Sequence, residues 1–124
     1  MSRTRASARA AGARFERSIA DYLAEHVDDR VDRRVKTGAK DRGDIGGVRA
    51  VLGGRVVLEC KDTARTELAA WTGEAEVERG NDDAVAGVVV HKRRGTAHPG
   101  AQYVTCTVDD LVALLTGRRP SSSP

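Results

Sequence analysis

Glu59 and Lys61 stand two residues apart behind the apolar run Val56-Val57-Leu58, and Asp44 lies upstream at the start of another strand-like stretch. In a strand, side chains i and i+2 share a face, so Glu59 and Lys61 point one way and Leu58 and Cys60 the other. An acid and a base closing a run that belongs in a core are costly unless they are solvated or paired. Asp44 and Glu59 together would suit a hard divalent cation, Mg²⁺ or Mn²⁺, with water and a phosphate oxygen completing its shell. Such a cation lowers the pKa of bound water and neutralises charge on a phosphorus under in-line attack. Lys61 beside it would position or deprotonate that water and stabilise the transition state. The plain alternative is an ion pair between Glu59 and Lys61 on a solvated strand face.

The elements that must position these groups can be read from periodicity and turn residues. Gly53-Gly54 predicts a two-residue hairpin turn between strands over 44–52 and 55–61. That register pairs Leu52 with Arg55, sets Val48 against Glu59, and sets Asp44 against Thr63, so the two acids do not meet. A bulge around Ile45-Gly46-Gly47, where adjacent glycines permit one, is needed to bring them together. Phe15, Ile19, Tyr22, Leu23 and Val27 recur at helical spacing and predict a helix over 9–27. Residues 31–36 read as a short edge strand and 37–43 as a loop. A second helix is expected over 67–79, with Leu68, Trp71, Ala75 and Val77 partly inside. Residues 85–92 read as a buried central strand, because they are nearly all apolar. A loop over 93–100, a strand over 102–107 and a helix over 108–116 follow, the last capped by Thr107 and stopped by Gly117. Residues 1–8 are expected to be loose and basic, and 118–124 a disordered tail, leaving one domain over 9–117.

A chain of 124 residues with one Trp, one Phe and two Tyr must build its core from Val, Leu, Ala and Ile. This favours an α/β fold with a mixed sheet flanked by helices. The net charge is only +3, but arginine and lysine cluster at 3–17, 30–42, 92–94 and 118–119. Such clusters suit a polyanion, since each phosphate contact releases counterions; a solvated surface balanced by nearby acids is the other reading. Cys60 and Cys106 have neither zinc-site spacing nor disulfide density, so they are expected to be buried free thiols. No apolar run approaches the roughly 18 residues of a membrane span. With a basic N-terminus lacking the apolar segment of a signal peptide, a cytoplasmic location is expected.

The ordered pattern is more specific than any of its parts. An acid on the first helix (Phe15-Glu16-Arg17), a basic glycine-containing loop with Thr37-Gly38, Gly43-Asp44-Ile45, a glycine hairpin and Leu58-Glu59-Cys60-Lys61 follow one another. This layout resembles the PD-(D/E)XK nucleases, and across residues 12–93 it looks most like the archaeal-type Holliday-junction resolvases. The resemblance implies a restriction-endonuclease-like core. It also implies that Asp44 and Glu59 are metal ligands with the main-chain carbonyl of Cys60, that Lys61 is the catalytic lysine, and that Glu16 is an accessory acid. Two departures stand out. Gly43 replaces the proline usual before the aspartate, and the glutamine often found on the following helix has only Glu74 and Glu76 as polar candidates.

The function so implied is metal-dependent endonucleolytic cleavage of DNA, with four-way junctions as the favoured substrate. Paired incisions in a junction lead one to expect a C2 homodimer. The DNA-contacting residues expected are Arg14, Arg17, Arg34, Lys36, Thr37, Lys40, Arg42 and Lys92, gripping phosphates with little base readout. Trp71 reads as core or dimer contact, and His26, His91 and His98 share no metal-site spacing. A restriction-type or general nuclease keeps the chemistry with another substrate, and a non-catalytic basic DNA-binding module keeps only the charge.

Overall fold

The computed structural model describes residues 4–35 and 40–120. Three helices, α1 (Arg5–His26), α2 (Leu68–Asn81) and α3 (Val108–Thr116), surround five strands. The strands are β1 (Asp32–Arg33), β2 (Ile45–Gly46), β3 (Val56–Lys61), β4 (Ala86–His91) and β5 (Tyr103–Thr105). They form one mixed sheet in the order β1-β2-β3-β4-β5, with β3 and β4 parallel and the other neighbours antiparallel. The fold is α/β, as the sequence pattern predicts. Among the described residues no helix is long and apolar enough to cross a membrane.

Alternation along the central strands divides the interior in two. Val56 and Leu58 on β3 and Ala86, Val88 and Val90 on β4 pack against Phe15 and Ile19 of α1 and Ala113 of α3. The alternate face holds Val89 against Trp71 and Ala75 of α2. Both strands are closed on both faces, which is why their sequences are apolar without a break. α2 comes close to β4 because Gly87 lacks a side chain: a Cβ there would stand 2.7 Å from the carbonyl oxygen of Ala75.

The ends differ from expectation. α1 begins at Arg5, since Thr4 caps it by accepting the Ser7 N–H at 3.0 Å, so residues 5–8 are helical. At the other end Arg119 donates to an Asp110 carboxylate oxygen at 2.7 Å and to the Val85 carbonyl at 2.9 Å, so the chain stays docked past Gly117. α3 matches its expected bounds, with a reciprocal Thr107–Asp110 capping box and Gly117 left-handed at the C-terminus.

The hairpin register is the larger correction. Arg55 pairs with Arg49, three residues earlier than the expected Leu52. Ala50 donates to Gly54 O and Gly53 donates to Ala50 O, both at 2.8 Å. The connection is therefore a three-residue loop over 51–53 with Gly53 at φ +87°, not a two-residue turn on Gly53-Gly54. Val51 and Leu52, read as strand, sit exposed at its tip. Further along, Val56 N–H reaches Val48 O while Ile45 pairs with Leu58. Three steps on one strand thus match two on the other, and the surplus residue is accommodated at Gly46-Gly47, with Gly47 at φ +86°. The bulge lies where the glycine pair suggests. Loop and bulge together carry Asp44 from the level of Thr63 to that of Glu59.

Candidate metal centre

Asp44 is buried on the α2 face of the sheet at the mouth of β2. Its N–H donates to Leu58 O at 2.8 Å, and its Oδ2 accepts the Cys60 N–H at 2.7 Å. The residue before it must be glycine. Gly43 has φ +95°, and a Cβ would lie 2.7 Å from Val57 Cγ1 and 2.9 Å from Leu58 O. The proline that the resemblance leads one to expect there cannot adopt that φ. Asp41 holds the approach by accepting the Gly43 N–H at 2.8 Å.

Glu59 projects from β3 into the same space, its carboxyl set against those of Asp44 and Glu78. Glu78 was not among the expected residues. It sits on the inner stripe of α2, at i+7 from Trp71 and i+3 from Ala75, and is 3% exposed. Val77, expected inside, is turned to solvent instead. The spacing 71, 75, 78 is the signal that could have found Glu78. One carboxylate oxygen each from Asp41, Glu59 and Glu78 lie within 4.8 Å of one another. A cavity of about 240 Å³ lined by Asp41, Glu59, Glu74, Val77 and Glu78 opens onto them.

Crowding of like charge out of water sets the electrostatics. Burial first, then Asp44 and Glu78, push the Glu59 carboxyl up to about 11. Burial likewise lifts Glu78 to about 7. Neither carboxylate oxygen of Glu78 has a donor among the described residues, so its contact with Glu59 is a hydrogen bond only when one of the two acids keeps a proton. Buried, donorless carboxylate oxygens are hard ligands within reach of a common point, and they fit a divalent ion.

Lys61 stands beside them, with Nζ 2.7 Å from a Glu74 carboxylate oxygen. Burial opposes its charge, but Glu74, Glu59 and Asp44 outweigh burial and hold its pKa above the ordinary value. Lys61 is thus a fixed cation and a poor proton acceptor. Glu74 orients it, whereas Glu76 turns away to Arg79 at 2.6 Å. Cys60 faces the opposite way and packs its side chain on the α1 side of the sheet. Neither cysteine is in a disulfide, and both are half-buried rather than fully enclosed.

The other expected residues are dispersed. Glu16 accepts from Arg33 of β1, Nη2 to Oε1 3.2 Å, on the helix that covers the face opposite Glu59. Arg17 is held between Asp21 at 3.1 Å and Asp32 at 2.8 Å. Arg14 and Lys92 line one cavity of about 290 Å³ with Asp62, and Lys92 Nζ donates to the Thr96 carbonyl. Arg34 and Arg42 line another, and Lys40 is exposed. Lys36 and Thr37 lie outside the described residues. Trp71 is core, as expected, its ring tilted at 53° against His91 with centroids 5.3 Å apart.

Fold and site together define an α/β protein with a buried carboxylate cluster and a fixed lysine on one face of a mixed sheet. No family model, curated protein or solved structure matches the chain.

Proposed function

We propose that this chain is a metal-dependent endonuclease of the PD-(D/E)XK type that hydrolyses phosphodiester bonds in DNA, with four-way junctions as its favoured substrate. The observation that carries the reading is the cluster itself. Glu59 and Glu78 are buried within ligand range of one another, with no donor to Glu78, Asp44 alongside and Lys61 on the same strand face. A hairpin read strictly from the sequence keeps Asp44 and Glu59 apart; the fold brings them together.

Glu59, Glu78 and Asp41 would hold a Mg²⁺ or Mn²⁺ ion, with Asp44 and the Cys60 carbonyl completing the protein side of the shell. A bound ion would supply an acidified water and charge neutralisation at the phosphorus. The chain's own groups do the remainder. Asp44, locked by the Cys60 N–H, fixes the orientation of Glu59. Lys61, held charged by Glu74, stabilises negative charge developing on the phosphate oxygens. Glu74 keeps that ammonium aimed across the cavity. DNA would be gripped through its phosphates by arginines and lysines flanking the site, in a C2 homodimer. β5 and α3 expose Tyr103, Val104, Val108, Leu111 and Leu115, the apolar surface such pairing would use.

The deciding experiment is cleavage of a synthetic four-way junction and of linear duplex by purified protein, with Mg²⁺ or with EDTA. Mg²⁺-dependent cutting of the junction, lost in Glu59→Ala and Asp44→Ala while binding persists, is the expected result. Equal cutting of duplex would make the protein a general or restriction-type nuclease. DNA binding without any metal-dependent cutting would make it a non-catalytic module and end the nuclease reading.

A further inference from the structure

α2 runs back along the sheet, so that Glu78 stands over Glu59 and the turn after the helix stands by Arg55, at the start of the same strand. There a second cavity, about 490 Å³, is lined by Arg34, Arg42, Arg55, Asn81, Asp82 and Asp83. It adjoins the carboxylate cavity. Asn81 Nδ2 donates to the main-chain oxygen of Asp41 at 2.8 Å; Asp41 lines one cavity and its neighbour Arg42 lines the other. Glu59 is four steps along the chain from Arg55, which directly precedes β3, or about 13 Å of strand.

Three guanidinium groups face this space against two carboxylates. Asp82 is buried, yet its Oδ2 has no hydrogen bond; Arg55 Nε is 3.4 Å away and Arg34 Nη2 3.6 Å. These are loose contacts, not the paired forks of a committed arginine–carboxylate bridge. Arg55 is anchored by donating to the Asp82 carbonyl at the C-terminus of α2. Arg34 lies over bare Gly46, where a Cβ would come within 3.1 Å of its Nη2, and its buried Nε has no acceptor. Arg42 is exposed and makes no ion pair with a described residue. Arg55 commits both Nε and Nη2 to the Asp82 carbonyl, so the planar fork of Arg42 is the one left for a tetrahedral oxyanion, which it matches better than a lysine would.

The geometry points to this arginine cavity as a phosphate subsite, taking a DNA phosphate further along the strand from the one at the carboxylates. The second half of that statement rests on the nuclease reading; the first does not. The carboxylate cavity repels DNA until its ion is bound, so a neighbouring positive seat would hold the strand in register while the acids hold the metal.

The test is DNA binding by the full chain, followed by fluorescence anisotropy in Ca²⁺ across a salt series. Arg42→Ala is chosen because it makes no hydrogen bond or ion pair with a described residue, and Arg42→Lys because it keeps the charge while losing the fork. Arg42→Ala should reduce the salt slope by about one and weaken binding about fivefold at 0.15 M salt, the share of one released counterion. A single neutral methylphosphonate, scanned along the strand, should weaken the wild type equally at one position and leave Arg42→Ala unaffected there. Arg42→Lys should keep the wild-type slope and bind with an affinity between those of the wild type and Arg42→Ala. An unchanged slope in Arg42→Ala, or additive losses at every methylphosphonate, overturns the subsite. Calorimetric binding of inorganic phosphate with no methylphosphonate effect overturns the DNA part and leaves a free-phosphate site. Cleavage in Mg²⁺ with no such coupling removes the subsite alone, and coupling without cleavage removes the nuclease reading alone. Absence of DNA binding removes both.

Discussion

The two faces of one sheet are built for different ends. On the α1 and α3 side, alternate residues of β2, β3 and β4 bury Ile45, Val56, Leu58, Val88 and Val90 against Phe15, Ile19 and Ala113. On the α2 side the buried apolar cluster among the described residues is Trp71, Ala75 and Val89, and Asp44, Glu59 and Glu78 share the remaining interior. Burying a large aliphatic side chain yields about 1.5–3 kcal/mol, while a buried polar group without a partner costs a comparable amount. The first face therefore supplies stability, and the second spends some of it to hold carboxylates close together. Leu58 and Glu59, consecutive in β3, belong to opposite regimes.

Substituting each of that pair sharpens the contrast most. Glu59→Gln should lower Mg²⁺-dependent cleavage by about 10²–10³-fold, the scale of losing one preorganised electrostatic group. The same change should raise the melting temperature of the metal-free protein at pH 8, since it removes the cost of keeping Glu59 protonated in the fold at a pH where the unfolded chain ionises it. Leu58→Ala should cost about 2–5 kcal/mol in denaturant titrations, with the folded fraction still cutting at the wild-type rate. If Glu59→Gln destabilises the metal-free protein and Leu58→Ala does not, the division between faces is gone.

How much of this was legible in the sequence depends on the range of the interaction. α3 could be read because Thr107 and Gly117 mark its ends locally, and β4 because an unbroken apolar run has few other homes. The hairpin register could not, because it turns on whether Gly53 takes a positive φ at the third loop position. It also depends on one extra residue being absorbed at Gly46-Gly47. Glu78 escaped because an acid on a helix is ordinarily assigned outward, although its spacing from Trp71 and Ala75 places it inward. Asp41 joins the cluster only through the tight turn that Gly43 allows. Gly43→Ala should accordingly cost about 2 kcal/mol, combining the left-handed φ with the contacts a Cβ would make at 2.7 and 2.9 Å. It should lower cleavage more than its stability loss explains, because Asp44 hangs on that residue. Cleavage that merely tracks the folded fraction would show that the turn supports the fold and not the site.

A smaller effect separates the faces by pH. Glu59 and Glu78 are pushed up to about 11 and about 7 from an ordinary 4.5. Above pH 4.5 the folded protein therefore holds more protons than the unfolded chain, and its stability falls as pH rises. For Glu78 the loss is complete near pH 7, and for Glu59 it continues beyond. Melting in EDTA between pH 5 and 9 should show a falling midpoint, flattened by excess Mg²⁺ or Mn²⁺ and by Glu59→Gln. A flat wild-type profile in EDTA would mean the acids are better solvated than their burial implies.

The smallest effect concerns whether chemistry stops at the sheet. Glu16 lies on α1, and its carboxylate is taken by Arg33 at 3.2 Å, although the resemblance would place an accessory acid there. A half-exposed ion pair of this kind is worth about 0–1 kcal/mol, so Arg33→Ala should shift stability by less than that. If Glu16 serves only Arg33, Glu16→Gln and Arg33→Ala should both leave cleavage within about threefold of wild type, under 1 kcal/mol of barrier. A tenfold loss in Glu16→Gln, with Arg33→Ala unchanged and both proteins equally stable, would extend the active site onto α1. The apolar face would then no longer be a purely structural one.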